Sequence, residues 1–135
     1  MVDYICKLLY REESTMIKLT LGAVETRFAD IVWEHAPLTT IELIAICAKE
    51  LNWKRTTTYT VLKKLCEGEI FKMENSMVTV LLSKAEYHAL QSENFVEKTF
   101  EGSLPAFIAA FTSRKTLSPE DLAQIKEMIR DFEGK

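Results

Sequence analysis

The stretch Trp53-Lys-Arg-Thr-Thr-Thr-Tyr-Thr-Val-Leu-Lys-Lys-Leu65 constrains this chain more than any other, because it carries two faces that rarely coincide. Thr58, Val61, Leu62 and Leu65 recur at helical spacing and form a stripe for a core. Opposite them lie Thr56, Tyr59, Thr60, Lys63 and Lys64, hydrogen-bonding and cationic groups with no carboxylate among them. A helix with that outer face can read base edges and hold phosphates. Directly after it, Ile70 to Leu82 reads as two strands around an Asn75-Ser76 turn. Two helical patterns precede it, so the order is helix, helix, helix, hairpin. That is a winged helix, whose third helix normally enters the major groove. The expected fold class is mainly α with a small β-hairpin wing: a winged helix-turn-helix domain followed by a helical domain.

The flanking residues supply starts and stops. Val24, Phe28, Ile31 and Val32 share one face of a first helix over about 23–35, with Gly22 at its start. Thr39-Thr-Ile-Glu42 is a capping box, in which each side chain satisfies the other residue's amide. The second helix then runs to about Leu51, with Leu43, Ile44 and Cys47 inward and Asn52 as a left-handed stop. The third starts near Arg55 and closes around Gly68. Ser83-Lys-Ala-Glu86 is a second capping box, and Gly102-Ser103 interrupts the helix that it opens. Ser103 starts a short helix with Pro105 in its first turn, and Ser118-Pro-Glu-Asp121 starts the last one.

Leu122, Ile125, Ile129 and Phe132 follow at spacings of three, four and three, a coiled-coil-like seam. Together with Phe107 and Phe111 they would leave a large apolar patch on a monomer. A homodimer formed by these helices covers it, and intramolecular packing is the alternative. The expected domains are an N-terminal extension at 1–18, a winged-helix DNA-binding domain at 19–82 and a helical dimerisation domain at 83–135. Met16 reads as an alternative start, so residues 1–15 are expected to contribute little; an ordered N-terminal arm stays open.

Charge distribution matters more than the net charge of −3. From Lys49 to Lys72, six cations face three anions, giving +3, whereas residues 19–48 carry −3. A protein binds nucleic acid through a local patch rather than its average. No apolar run is long enough to span a bilayer, so direct membrane insertion is not expected. Cys6, Cys47 and Cys66 are odd in number and widely spaced, which suits reduced thiols and a cytoplasmic location. His35 and His88 stand alone, and no activated nucleophile, metal cluster or phosphate loop is present. The expectation is no enzyme, no metal and no cofactor.

In order along the chain, these blocks resemble the penicillinase-repressor family of bacterial winged-helix regulators. Leu21 to Trp33 is similar to the family's first helix, and Trp53 to Leu65 to its recognition-helix block, including Thr57 and Thr60. Ser92 to Ser103 resembles its hinge segment and Leu117-Ser-Pro-Glu-Asp-Leu122 the start of its last helix. The resemblance implies a repressor of β-lactam resistance genes, inactivated by a membrane-bound penicillin-sensor metalloprotease that cuts an Asn-Phe bond. Asn94-Phe95 stands at the matching place, the candidate scissile bond. Departures exist. Repressors of β-lactamase genes usually carry Arg where Tyr59 stands, Lys at Thr56 and Arg at Lys64; Glu69 replaces a glycine before the wing, with Gly68 one position early. The ending Phe132-Glu-Gly-Lys135 lacks the cysteine-rich tail of copper-responsive members, so copper sensing through such a tail is not expected.

The resulting expectation is a homodimeric transcriptional repressor on a two-fold-symmetric stretch of double-stranded operator DNA. Lys54, Arg55, Thr57, Lys63 and Lys64 hold phosphates, Thr56, Tyr59 and Thr60 reach base edges, and Lys72 with Asn75 and Ser76 touches the flanking backbone or minor groove. The rival reading is a winged-helix module whose basic face binds a protein and not DNA.

Overall fold

The computed structural model of the chain describes residues 20–134. The expectations for the N-terminal extension at 1–18 lie outside those residues. The chain divides into two compact units, up to Asn94 and from Phe95 onward.

In the first unit the order is α1 (Ala23–His35), β1 (Leu38–Thr39), α2 (Thr40–Leu51), α3 (Arg55–Glu67), β2 (Phe71–Glu74), β3 (Met77–Val80) and the start of α4 (Lys84–Phe100). This is the mainly helical fold with a small antiparallel wing that the sequence suggests. Its local signals work as chemistry requires. The Glu42 amide donates to the Thr39 hydroxyl at 3.1 Å, while Glu42 Oε1 accepts from the Thr39 amide at 3.0 Å. Ser83 and Glu86 repeat the reciprocal cap at the start of α4. Asn52 ends α2 in the left-handed region, with φ 57°. Asn75 and Ser76 both have positive φ, 53° and 61°, the two-residue turn that matches strand twist.

The sheet has one strand more than expected. Its order is β1-β3-β2, all antiparallel, with Leu38 opposite Val78 and Phe71 opposite Val80. A two-residue strand has no periodicity to read, which is why β1 leaves no signal of its own. It anchors the wing to the start of α2, where the Thr40 amide donates to the Ser76 carbonyl at 3.0 Å.

Phe28, Val32, Leu43, Cys47, Leu62, Leu65, Phe71, Val78 and Leu82 are buried together in one core. Phe28 stacks on Trp53 at 5.6 Å between ring centroids, and Trp33 meets Phe71 edge-on at 5.7 Å. The Trp33 indole donates to the Leu82 carbonyl at 2.9 Å. Tyr87 of α4 is buried in the same core, with Leu90 packed against it, so the first unit extends past the wing into α4. Three expected core residues sit further out. Val24 is exposed because α1 meets the core only from Phe28 onward, and Ile44 and Val61 flank their stripes and are half-buried.

The second unit contains the end of α4, then α5 (Leu104–Thr112) and α6 (Pro119–Glu133). Ser103 and Ser118 cap the two later helices, each accepting an amide three residues on. Phe95, Phe100, Phe107 and Phe111 form a ring cluster with centroids 5.6–6.3 Å apart. Every residue of α6 is exposed, including Leu122, Ile125, Ile129 and Phe132. No helix among the described residues is long and apolar enough to cross a membrane.

Candidate nucleic-acid interface

Helix α3 buries Thr58, Leu62 and Leu65 and leaves Lys54, Arg55, Thr56, Thr57, Thr60, Lys63 and Lys64 exposed, with Tyr59 half-buried. Its start differs from those of α2, α4 and α6. Lys54 occupies the cap position without a side-chain cap bond, and the first turn holds no acid. The orphan amides and the positive end of the helix dipole are therefore offered outward beside the cations of Lys54 and Arg55. That is a place for a phosphate. These amides had no motif to announce them; only the missing Ser, Thr or Asp cap could have.

Four positions on the outer face make specific contacts. The Thr60 hydroxyl donates to the Thr56 carbonyl at 2.8 Å, so its proton is used internally and its lone pairs point out as acceptors. The Arg55 guanidinium lies over the Tyr59 ring, 5.7 Å from the centroid. Tyr59 also faces the start of α2: the Thr40 hydroxyl, with Arg55, holds the phenol below its usual pKa. Tyr59 is thus braced between two helices, with Arg55 on its outer side. On the opposite flank, Lys64 Nζ lies 2.7 Å from Glu25 Oε2 of α1. The ammonium and the Gly22 amide hold the Glu25 carboxyl below its ordinary value.

No carboxylate among the described residues lies within ion-pairing distance of Lys54, Arg55 or Lys63. The outer face is not wholly free of acids, however. The helix runs on to Glu67, exposed one turn after Lys63. It stands at the far end from the amide-rich start, the end that in helix-turn-helix docking points away from the bases. On the wing, Lys72 pairs with Glu74 at 2.9 Å, and both side chains are solvent-exposed with Asn75 and Ser76. The expected base and phosphate residues therefore share one exposed face of α3, with Tyr59 and Lys64 at its two edges.

Asn94 and Phe95 lie inside α4, at the division between the units. The Asn94 side-chain oxygen is buried without a hydrogen-bond partner among the described residues, and the Phe95 ring joins the cluster of Phe100 and Phe107.

Residues 21–131 match the family model of the penicillinase repressors. The chain belongs to that family. A penicillinase repressor of Bacillus licheniformis is 21% identical over 124 residues, covering 85% of this chain and 93% of the relative. Members of the family are transcriptional regulators and not enzymes. At family level, then, the exposed face of α3 belongs to a transcriptional repressor, and the match runs from the start of α1 through most of α6.

Proposed function

We propose that the chain is a homodimeric repressor that binds a two-fold-symmetric operator in double-stranded DNA through α3 and is inactivated by cleavage of α4. The observation that carries this reading is the exposed face of α3, where an uncapped helix start, three cations without carboxylate partners among the described residues and the Thr60 acceptor lie together. Lys54, Arg55, Thr57, Lys63 and Lys64 hold phosphates. Thr56, Tyr59 and Thr60 reach base edges, with Arg55 over the Tyr59 ring, and Lys72, Asn75 and Ser76 meet the flanking backbone or minor groove.

The dimer is supported by the apolar row Leu122, Ile125, Ile129 and Phe132, exposed by 36–72% in a single chain, and by the neighbouring Phe107 and Phe111. The relative's name, a penicillinase repressor, extends the proposal to β-lactam resistance genes. A membrane-bound penicillin-sensor metalloprotease is then the partner that leads to the cut at Asn94-Phe95. Among the described residues the buried Asn94 side-chain oxygen has no hydrogen-bond partner, which costs about 1–3 kcal/mol at that point of α4. A cut there leaves Tyr87 and Leu90 in the core of the winged unit, so that half keeps its core while the linkage is lost.

The test is binding to duplexes from the promoter beside the chain's own gene, measured over a range of salt. The logarithm of the binding constant should fall linearly with that of salt, and one palindromic site should be protected in footprinting. Absence of any salt-dependent duplex binding would overturn the reading in favour of a protein-binding winged module.

A further inference from the structure

Of the four cations on and just before α3, Lys64 alone is matched by a fixed carboxylate among the described residues. Glu25 is not a wandering surface acid. Its Oε1 accepts the Gly22 amide at 3.1 Å as part of the cap of α1, which leaves Oε2 aimed at Lys64 Nζ, 2.7 Å away. Backbone geometry thus holds the carboxylate in place, with its side chain 21% exposed against 63% for the lysine. Pairs as open as this contribute little to stability. The carboxylate has a larger consequence for a polyanion, because affinity for any duplex grows with the number of phosphates that cations neutralise.

We propose that Glu25 is a specificity-determining positioning residue: it withholds the Lys64 ammonium from phosphates on random DNA and releases it only when base contacts hold α3 close to an operator. The inference rests on the DNA-binding reading above. Loosely docked α3 gains one phosphate contact by breaking the pair and leaves a carboxylate facing the DNA backbone, so Lys64 stays with Glu25. Closely docked α3 brings the phosphate within reach of Nζ, and the ammonium changes partner. Random sequence is penalised without any loss of base contact, a repulsive element that sharpens discrimination.

The experiment compares wild type, Glu25→Gln, Lys64→Ala and the double variant on an operator duplex and a random duplex across salt, with Lys63→Ala as reference. Glutamine still accepts the Gly22 amide, so α1 keeps its cap; a cooperative melt of each variant, lowered by no more than the loss of one open ion pair, checks this. Glu25→Gln should steepen the salt slope on random DNA by about 0.9 and tighten that binding on the order of five- to ten-fold at about 0.1 M salt. Operator binding should change little, and Lys64→Ala should abolish the random-DNA gain in the Glu25→Gln background. Lys64→Ala alone should lower the slope on operator but not on random DNA. Equal tightening on both duplexes, or an unchanged random slope while Lys63→Ala still lowers it, would overturn the inference and leave the DNA-binding reading intact. No salt-dependent binding by wild type would bring down both.

Discussion

The Thr60 hydroxyl has spent its proton on the Thr56 carbonyl, and this decides what it can read. It can accept from the amino group of adenine or cytosine but cannot donate to guanine. Thr60→Val keeps the shape and removes the acceptor. It should cost about 1 kcal/mol on the preferred operator and little on a variant changed at the contacted base, measured by competition binding. Lys63→Ala should act differently, weakening all duplexes alike and reducing the salt slope by about 0.9. At the other flank, the Glu25 carboxyl is held low by Lys64 and by the Gly22 amide. A depressed carboxylate stabilises the fold above its ordinary value of 4.5, and that share is lost as pH falls through its folded value. The melting difference between wild type and Glu25→Gln should therefore be present at neutral pH and vanish in acid; a difference that grew on acidification would contradict the assignment. The types and positions of the α3 residues were legible in sequence, because helical spacing alone separates Thr58 and Leu62 from Thr56 and Lys63. The partners were not. Glu25 reaches Lys64, and Thr40 reaches Tyr59, only through the packing of α1 and α2 on α3.

At the scale of elements, caps explain how much could be read. Thr39-Glu42, Ser83-Glu86, Ser103 and Ser118 each act within three or four residues, so sequence and structure agree at those helix starts. β1 escaped because its register is set by Val78 and Met77, distant in sequence. The family resemblance places a glycine where Glu69 stands, and Glu69 has φ 63°, whereas Gly68 sits at an ordinary φ of −77°. The left-handed position thus lies at Glu69, where a side chain is strained, and the neighbouring glycine does not relieve it. Glu69→Gly should stabilise the winged unit by about 0.5–1 kcal/mol after the entropy cost of glycine, read as a higher midpoint in denaturant. A lower midpoint would show that contacts of the Glu69 side chain outweigh the backbone strain.

At the scale of the whole molecule, the chain holds two compact units. The winged unit is complete without α5 and α6, since its core closes with Tyr87 and Leu90 of α4. A chain ending at Asn94 should fold as a monomer and bind a half-site weakly. The second unit exposes most of its apolar surface, so Ile129→Asp, which places an unpaired carboxylate in the seam, should give monomers at micromolar concentration by sedimentation. An unchanged dimer would locate the interface elsewhere. On the proposed dimer, two winged units should bind a palindrome tightly because the second half-site is met at high effective concentration. The most direct measurement replaces the residues around Asn94-Phe95 with a site for a specific protease, establishes full operator binding, and then cuts. Affinity for the palindrome should fall to that of the chain ending at Asn94, while binding to a single half-site stays unchanged. Undiminished affinity of the cut protein for the palindrome would contradict the account.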